Sequence, residues 1–120
     1  MKPSAQIIRL TFLGGALGTL IRFALFLTFG DLPSVIFVNL VGAGLIGWLN
    51  GNKKFDNDIQ NALWKTGFAG GFTTMSGVAI WLVVTDGFTA AGAALVFGQI
   101  AIGLDAYWLA LRAAKKRGRR

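Results

Sequence analysis

The 120-residue chain contains no cysteine and no histidine. Those two absences exclude disulfides, thiol catalysis, a His-based metal site and an imidazole proton switch. Proline is nearly missing, with two residues, and acids are few, five against twelve Lys and Arg. Only one acid, Asp105, falls inside an apolar run. With no Ser/His/Asp set, no P-loop and no general acid–base pair, an enzyme is not expected. What is abundant is apolar surface. The chain is 54% hydrophobic and 14% charged, with mean hydropathy +0.60, which is not the profile of a soluble domain. Seventeen glycines beside two prolines suit closely packed transmembrane helices. The positive balance is too localised, and the rest too apolar, for a nucleic-acid partner.

Lys2 and Arg9 precede an apolar run in the manner of a signal peptide. The run from Leu10 to Phe29 is nevertheless as long as a bilayer is thick, and no small-x-small cleavage site follows it. The expected architecture is an all-α membrane protein, one domain over residues 1–120, with four spans at about 5–29, 34–50, 61–84 and 88–112. Gly14 and Gly18 form a small-xxx-small pair on the first helix. Arg22, within two turns of that helix's end, either snorkels to the interface or is buried against protein. Gly30-Asp31-Leu32-Pro33 reads as a turn. In the second helix Asn39 either joins helices or lines a water path. In the fourth, Ala90, Ala94, Gly98, Ala101 and Asp105 share one helical face. That face is expected to pack inward and to bring Asp105 with it.

The third span is unusual. Gly67, Gly70 and Gly71 are followed by Thr73, Thr74 and Ser76. Each glycine costs a helix interior about 1 kcal/mol relative to alanine, and hydroxyl side chains offer the backbone competing bonds. The helix is expected to break at its middle. Freed main-chain groups at membrane depth survive only against protein, water or an ion, so the break marks a functional centre.

Four spans place both termini on one side. That side carries every Lys and Arg except Arg22, while the opposite turns carry Asp31 and Asp86. The positive-inside rule makes both termini cytoplasmic in a multi-pass protein of the cell (inner or plasma) membrane. The basic cluster Lys115-Lys116-Arg117-Gly118-Arg119-Arg120 anchors that orientation and attracts anionic lipid.

A small four-helix proton-coupled exporter is similar in size, but that family carries a glutamate in its first helix, and no span here contains one. Three motifs point elsewhere. They are Gly14-Gly15-Ala16-Leu17-Gly18-Thr19-Leu20-Ile21-Arg22-Phe23, Phe37-Val38-Asn39-Leu40-Val41-Gly42-Ala43-Gly44-Leu45-Ile46-Gly47, and Gly67-Phe68-Ala69-Gly70-Gly71-Phe72-Thr73-Thr74-Met75-Ser76. In this order the chain resembles the Fluc/CrcB family of fluoride ion channels over nearly its whole length. The resemblance implies an antiparallel dimer of four-helix subunits with two fluoride pathways and passive export of fluoride. It implies a central structural sodium ion held by backbone carbonyls, which by motif match are those of Gly70 and Thr73. Asn39, Arg22, Thr74 and Ser76 match pathway positions.

The departures from the family pattern are informative. The family's Thr-Thr-Phe-Ser-Thr-Phe is here Thr73-Thr74-Met75-Ser76-Gly77-Val78. Both phenylalanines, whose ring edges carry partial positive charge, are replaced. Aligning the family's central fourth-helix glycine on Gly98 places its tyrosine and serine at Ala90 and Ala94. Met75, Val78, Ala90 and Ala94 are thus degenerate pore positions. Many family members carry little charge bias and form antiparallel homodimers, whereas this chain's bias holds it in one orientation. A heterodimer with a homologous subunit of opposite topology is expected. A self-sufficient homodimeric channel and a non-conducting membrane scaffold subunit are the alternatives.

Overall fold

A computed structural model describes residues 2–119, without the side chains of Thr85 and Asp86. The charges of Asp86 and Arg120, used above for orientation, therefore lie outside the described residues. All regular structure among those residues is helical.

Helix α1 (Ala5–Phe29) starts where the Ser4 hydroxyl accepts from the Ile7 amide at 3.3 Å, an N-cap that satisfies an orphan donor. It ends at Gly30, whose φ of +82° suits glycine. Helix α2 (Asp31–Gly51) follows at once. It begins at Asp31 and not at Ser34, because Pro33 sits in the first turn, where its missing N–H costs nothing and its fixed φ is already helical. A short 3₁₀ turn, Lys53–Phe55, leads to α3 (residues 58–72). Asn57 caps α3 through the Gln60 amide at 2.9 Å, so it starts ahead of residue 61. Within it Asn61–Ala69 is wound as a π-helix. Thr73 and Thr74 are extended, and α4 (residues 75–86) follows them. Thr89 caps α5 (Ala90–Gly118). α5 runs past residue 112 because Ala113 to Arg117 are good helix formers and the cations suit the negative helix end.

Four helical stretches are long and apolar enough to cross a membrane: Ala5–Phe29, Asp31–Gly51, Asp58–Val84 and Ala90–Gly118. Large apolar side chains such as Phe12, Leu27 and Phe97 are exposed on the outside of the bundle. Water would penalise that surface, but acyl chains accept it.

Two seams hold the subunit together. In the first, Gly14 and Gly18 of α1 meet Gly67 and Gly71 of α3. A Cβ at Gly14 would strike the Leu63 carbonyl, one at Gly18 the Phe68 carbonyl, and one at Gly71 the Gly15 carbonyl. Each helix thus offers its own small-xxx-small pair, and main chain lies on main chain. In the second seam Gly47 and Gly51 of α2 receive the carbonyls of Tyr107 and Leu111 of α5.

The second seam corrects the reading of the fourth helix. Ala90, Ala94, Ala101 and Asp105 are exposed on the subunit, and Gly98 is only half-buried. α5 turns the face with Gln99, Gly103 and Tyr107 inward. That face wins because the glycines of α2 admit its backbone, as Gly47 against the Tyr107 carbonyl shows. Asp105 accordingly does not enter the bundle.

Candidate functional site

The polar groups of the third span gather at Thr73 and Thr74. Three glycines precede these threonines, yet Gly67, Gly70 and Gly71 all lie in helical backbone. It is the threonines that are extended, with φ/ψ of −84°/156° and −149°/113°. Gly67 and Gly71 serve close approach to α1, and the hydroxyl residues carry the interruption of the helix.

Main-chain groups at this depth need partners, and the structure supplies them from two neighbouring helices and from the span's own hydroxyls. Asn39 of α2 treats Thr74 as a peptide treats its strand neighbour. Its Oδ1 accepts from the Thr74 amide at 2.8 Å, and its Nδ2 donates to the Thr74 carbonyl at 3.0 Å. The same Nδ2 donates to Oε1 of Gln99 on α5 at 2.8 Å. From α1, Arg22 Nη1 donates to the Thr73 carbonyl at 3.1 Å. The guanidinium is therefore turned to the interruption and does not snorkel to the helix end. Thr19 Oγ1 donates to the Gly71 carbonyl at 3.3 Å. Thr73 Oγ1 returns to the Ala69 carbonyl at 2.9 Å, the i−4 back-bond open to a hydroxyl near a helix end. Thr74 Oγ1 caps α4 by accepting from the Gly77 amide at 3.0 Å, and it shares a hydrogen bond with Ser76 Oγ at 3.1 Å.

Asn39, Arg22, Thr73, Thr74 and Ser76 thus form one network. Met75 projects from it, 61% exposed. Val78 lies apart from that surface, 3% exposed inside the subunit. Ala90 and Ala94 sit on the exposed face of α5. Gly70 is exposed, and a Cβ there would meet nothing within 4 Å. A groove of about 400 Å³ runs beside the network, lined by Asn39, Thr73, Met75, Gln99 and Tyr107 among apolar side chains. Gln99 is the residue that the sequence reading missed. The criterion that singled out Asn39, an uncharged polar side chain amid an apolar span, also applies to Gln99.

Chemically the site is a set of neutral carbonyls and amide donors with one guanidinium, in an apolar setting. No cluster of three or more acids, histidines or cysteines is present among the described residues. Such a site can accommodate or pass an ion, and among the described residues no carboxylate or imidazole stands against its hydroxyls to activate them.

Comparison with known proteins agrees with that chemistry. Residues 9–111 match the family described as CrcB-like protein, Camphor Resistance (CrcB). The chain is similar to the fluoride-specific ion channel FluC 1 of Corynebacterium glutamicum, 41% identical over 70% of this chain and 79% of that one. It is similar to the fluoride-specific ion channel FluC of Methylobacillus flagellatus, 32% identical over 90% and 94% of the two chains. FluC 2 of Corynebacterium jeikeium is 29% identical over 88% of this chain. No solved structure matches. A match that runs from α1 nearly to the end of α5, through every residue of the network, places this chain in the CrcB family of fluoride-specific ion channels, which are multi-pass membrane proteins and not enzymes.

Proposed function

We propose that the chain is one subunit of a fluoride channel that exports cytoplasmic fluoride passively, and that it pairs antiparallel with a homologous subunit of opposite topology. The carrying observation for the pairing is the charge asymmetry. Lys53, Lys54, Lys115 and Arg119 converge on one cleft of about 650 Å³ at one end of the bundle, with Asp56 beside them. Moving that end across a bilayer is opposed by every one of those charges. A chain held in one orientation does not supply its own inverted partner. The relatives' names, FluC 1 and FluC 2, are consistent with channels encoded in pairs. Both termini are cytoplasmic in this reading.

A structural sodium ion at the dimer axis fits the donor set. The Thr74 amide, which a continuous helix would give to the Gly70 carbonyl, goes to Asn39 instead. The Thr73 carbonyl takes one bond from Arg22 and keeps a second lone pair. Gly70 and Thr73 would hold the ion with neutral oxygens, which suit a hard cation. Its charge would supply a positive potential favouring an anion nearby. The pathway itself would run past Asn39, Thr74 and Ser76, with Arg22 behind the break.

Fluoride efflux from liposomes tests the reading. The chain alone is expected to give little flux, and the chain with its inverted partner robust flux. Strong selective efflux from the single chain would replace the heterodimer by a homodimer. No flux with a verified partner would leave a scaffold subunit.

A further inference from the structure

We infer that the Gln99 side-chain amide is the hydrogen-bond donor this subunit presents to the permeating anion, with Asn39 as its positioning residue. The inference rests on the fluoride-channel reading above and adds a specificity residue to it.

The polarity of the relay follows from its first member. A backbone N–H can only donate, so the amide of Thr74 fixes Oδ1 of Asn39 as acceptor at 2.8 Å. Nδ2 must then face the other way. Its two hydrogens are both committed, to the Thr74 carbonyl at 3.0 Å and to Gln99 at 2.8 Å. Asn39 therefore has no donor left for a passing ion. Gln99 in turn must present Oε1 to Asn39, since a flipped amide would set NH₂ against NH₂. What remains at the free end of the relay is Nε2. That atom is buried and has no hydrogen-bond partner among the described residues. A buried donor with no acceptor is rare in a folded chain, and this one is carried by a residue that lines the groove between α2, α4 and α5, so an ion in the groove reaches it only as the wall yields.

The groove gives the donor its meaning. No carboxylate lines it, and its walls beyond the polar residues are Ala43, Ile46, Ile100, Gly103 and Leu104. Apolar walls strengthen an ion–dipole attraction. An uncharged donor favours an anion over a cation and still lets it go, which conduction requires. Fluoride is small and accepts hydrogen bonds strongly, so Nε2 would supply one of the several donors that its costly dehydration requires. An aromatic edge is missing at Met75 and Val78; Gln99 offers polarised N–H in its stead.

The test combines flux with a direct readout of the amide. The full chain, with the inverted subunit that co-purifies with it, is placed in liposomes as wild type, Gln99→Met and Gln99→Glu. Met keeps the length and removes the donor. Glu keeps an acceptor for Asn39 but reverses the free end. Fluoride efflux is expected to fall tenfold or more in Gln99→Met and further in Gln99→Glu, with assembly unchanged. In parallel, the Gln99 side-chain ¹⁵N resonance is expected to shift on titration with sodium fluoride and not with sodium chloride. Wild-type flux in Gln99→Met with no fluoride-dependent shift overturns the inference and leaves the channel reading intact. Weakened assembly of Gln99→Met with unchanged flux also overturns it, assigning Nε2 to an acceptor on the neighbouring subunit. A shift without flux in any pairing keeps Gln99 as an anion site and removes the channel reading. Neither shift nor flux removes both.

Discussion

The two helix seams of this subunit use the same residue for opposite ends. Between α1 and α3, glycines on both helices bring main chain to main chain, and the seam closes tightly around them. Between α2 and α5, the close approaches are made by Gly47 and Gly51 of α2, near one end of the contact, against the carbonyls of Tyr107 and Leu111. Further along, the second seam passes through Asn39 and Gln99 and borders an open groove. Small residues by themselves bring helices together. Whether the contact becomes a weld or a wall of a passage depends on what stands one or two turns away.

The sharpest way to break the comparison is to force the first seam apart. Gly71→Leu places a branched side chain where a Cβ already strikes the Gly15 carbonyl. A cost of about 3 kcal/mol or more is expected, seen as loss of the folded subunit in an SDS-titration unfolding assay. A well-folded Gly71→Leu chain would show that the seam parts easily. Next in size is Asn39→Ala. Two main-chain groups of Thr74 lose their partner, so about 2 kcal/mol is expected by the same assay. That exceeds the ~0.6 kcal/mol average for an interhelical side-chain bond. A loss near that average would mean water reaches the interruption. Arg22→Ala removes one charge-assisted bond to Thr73 and is expected to cost about 1.5 kcal/mol, with Arg22→Lys recovering part of it. The smallest effect belongs to the exposed face of α5. Gly98→Ala meets nothing within 4 Å, so it is expected to stabilise the lone subunit by up to about 1 kcal/mol. Measured on the assembled channel, a loss of dimer would show that the stripe from Ala90 to Ala101 is covered by the partner.

Much of the architecture was legible because apolar runs and polar turns alternate so plainly. The four spans, the pair Gly14 and Gly18, and the family motifs from Gly14 to Ser76 could all be read directly. Other features were hidden for physical reasons. α5 carries two faces of small and polar residues, and composition does not say which one α2 will accept. The choice was made by Gly47 and Gly51, which lie more than fifty residues earlier in the chain. Pro33 looked like the end of a turn and is the start of a helix, because a first turn tolerates it. Gly70 and Gly71 looked like the cause of irregular backbone, yet they are helical spacers. Gln99 was passed over because the fourth span was read for its small-residue face, on which Gln99 does not lie.

The interruption at Thr73 and Thr74 has one more consequence. Asn39, Arg22 and Thr19 all belong to the same chain as the carbonyls and amide they satisfy. Those groups are satisfied from within the subunit and do not wait for a second molecule. A newly inserted copy is therefore expected to complete its fold in the bilayer before any association, and a single chain is expected to persist there as a folded unit.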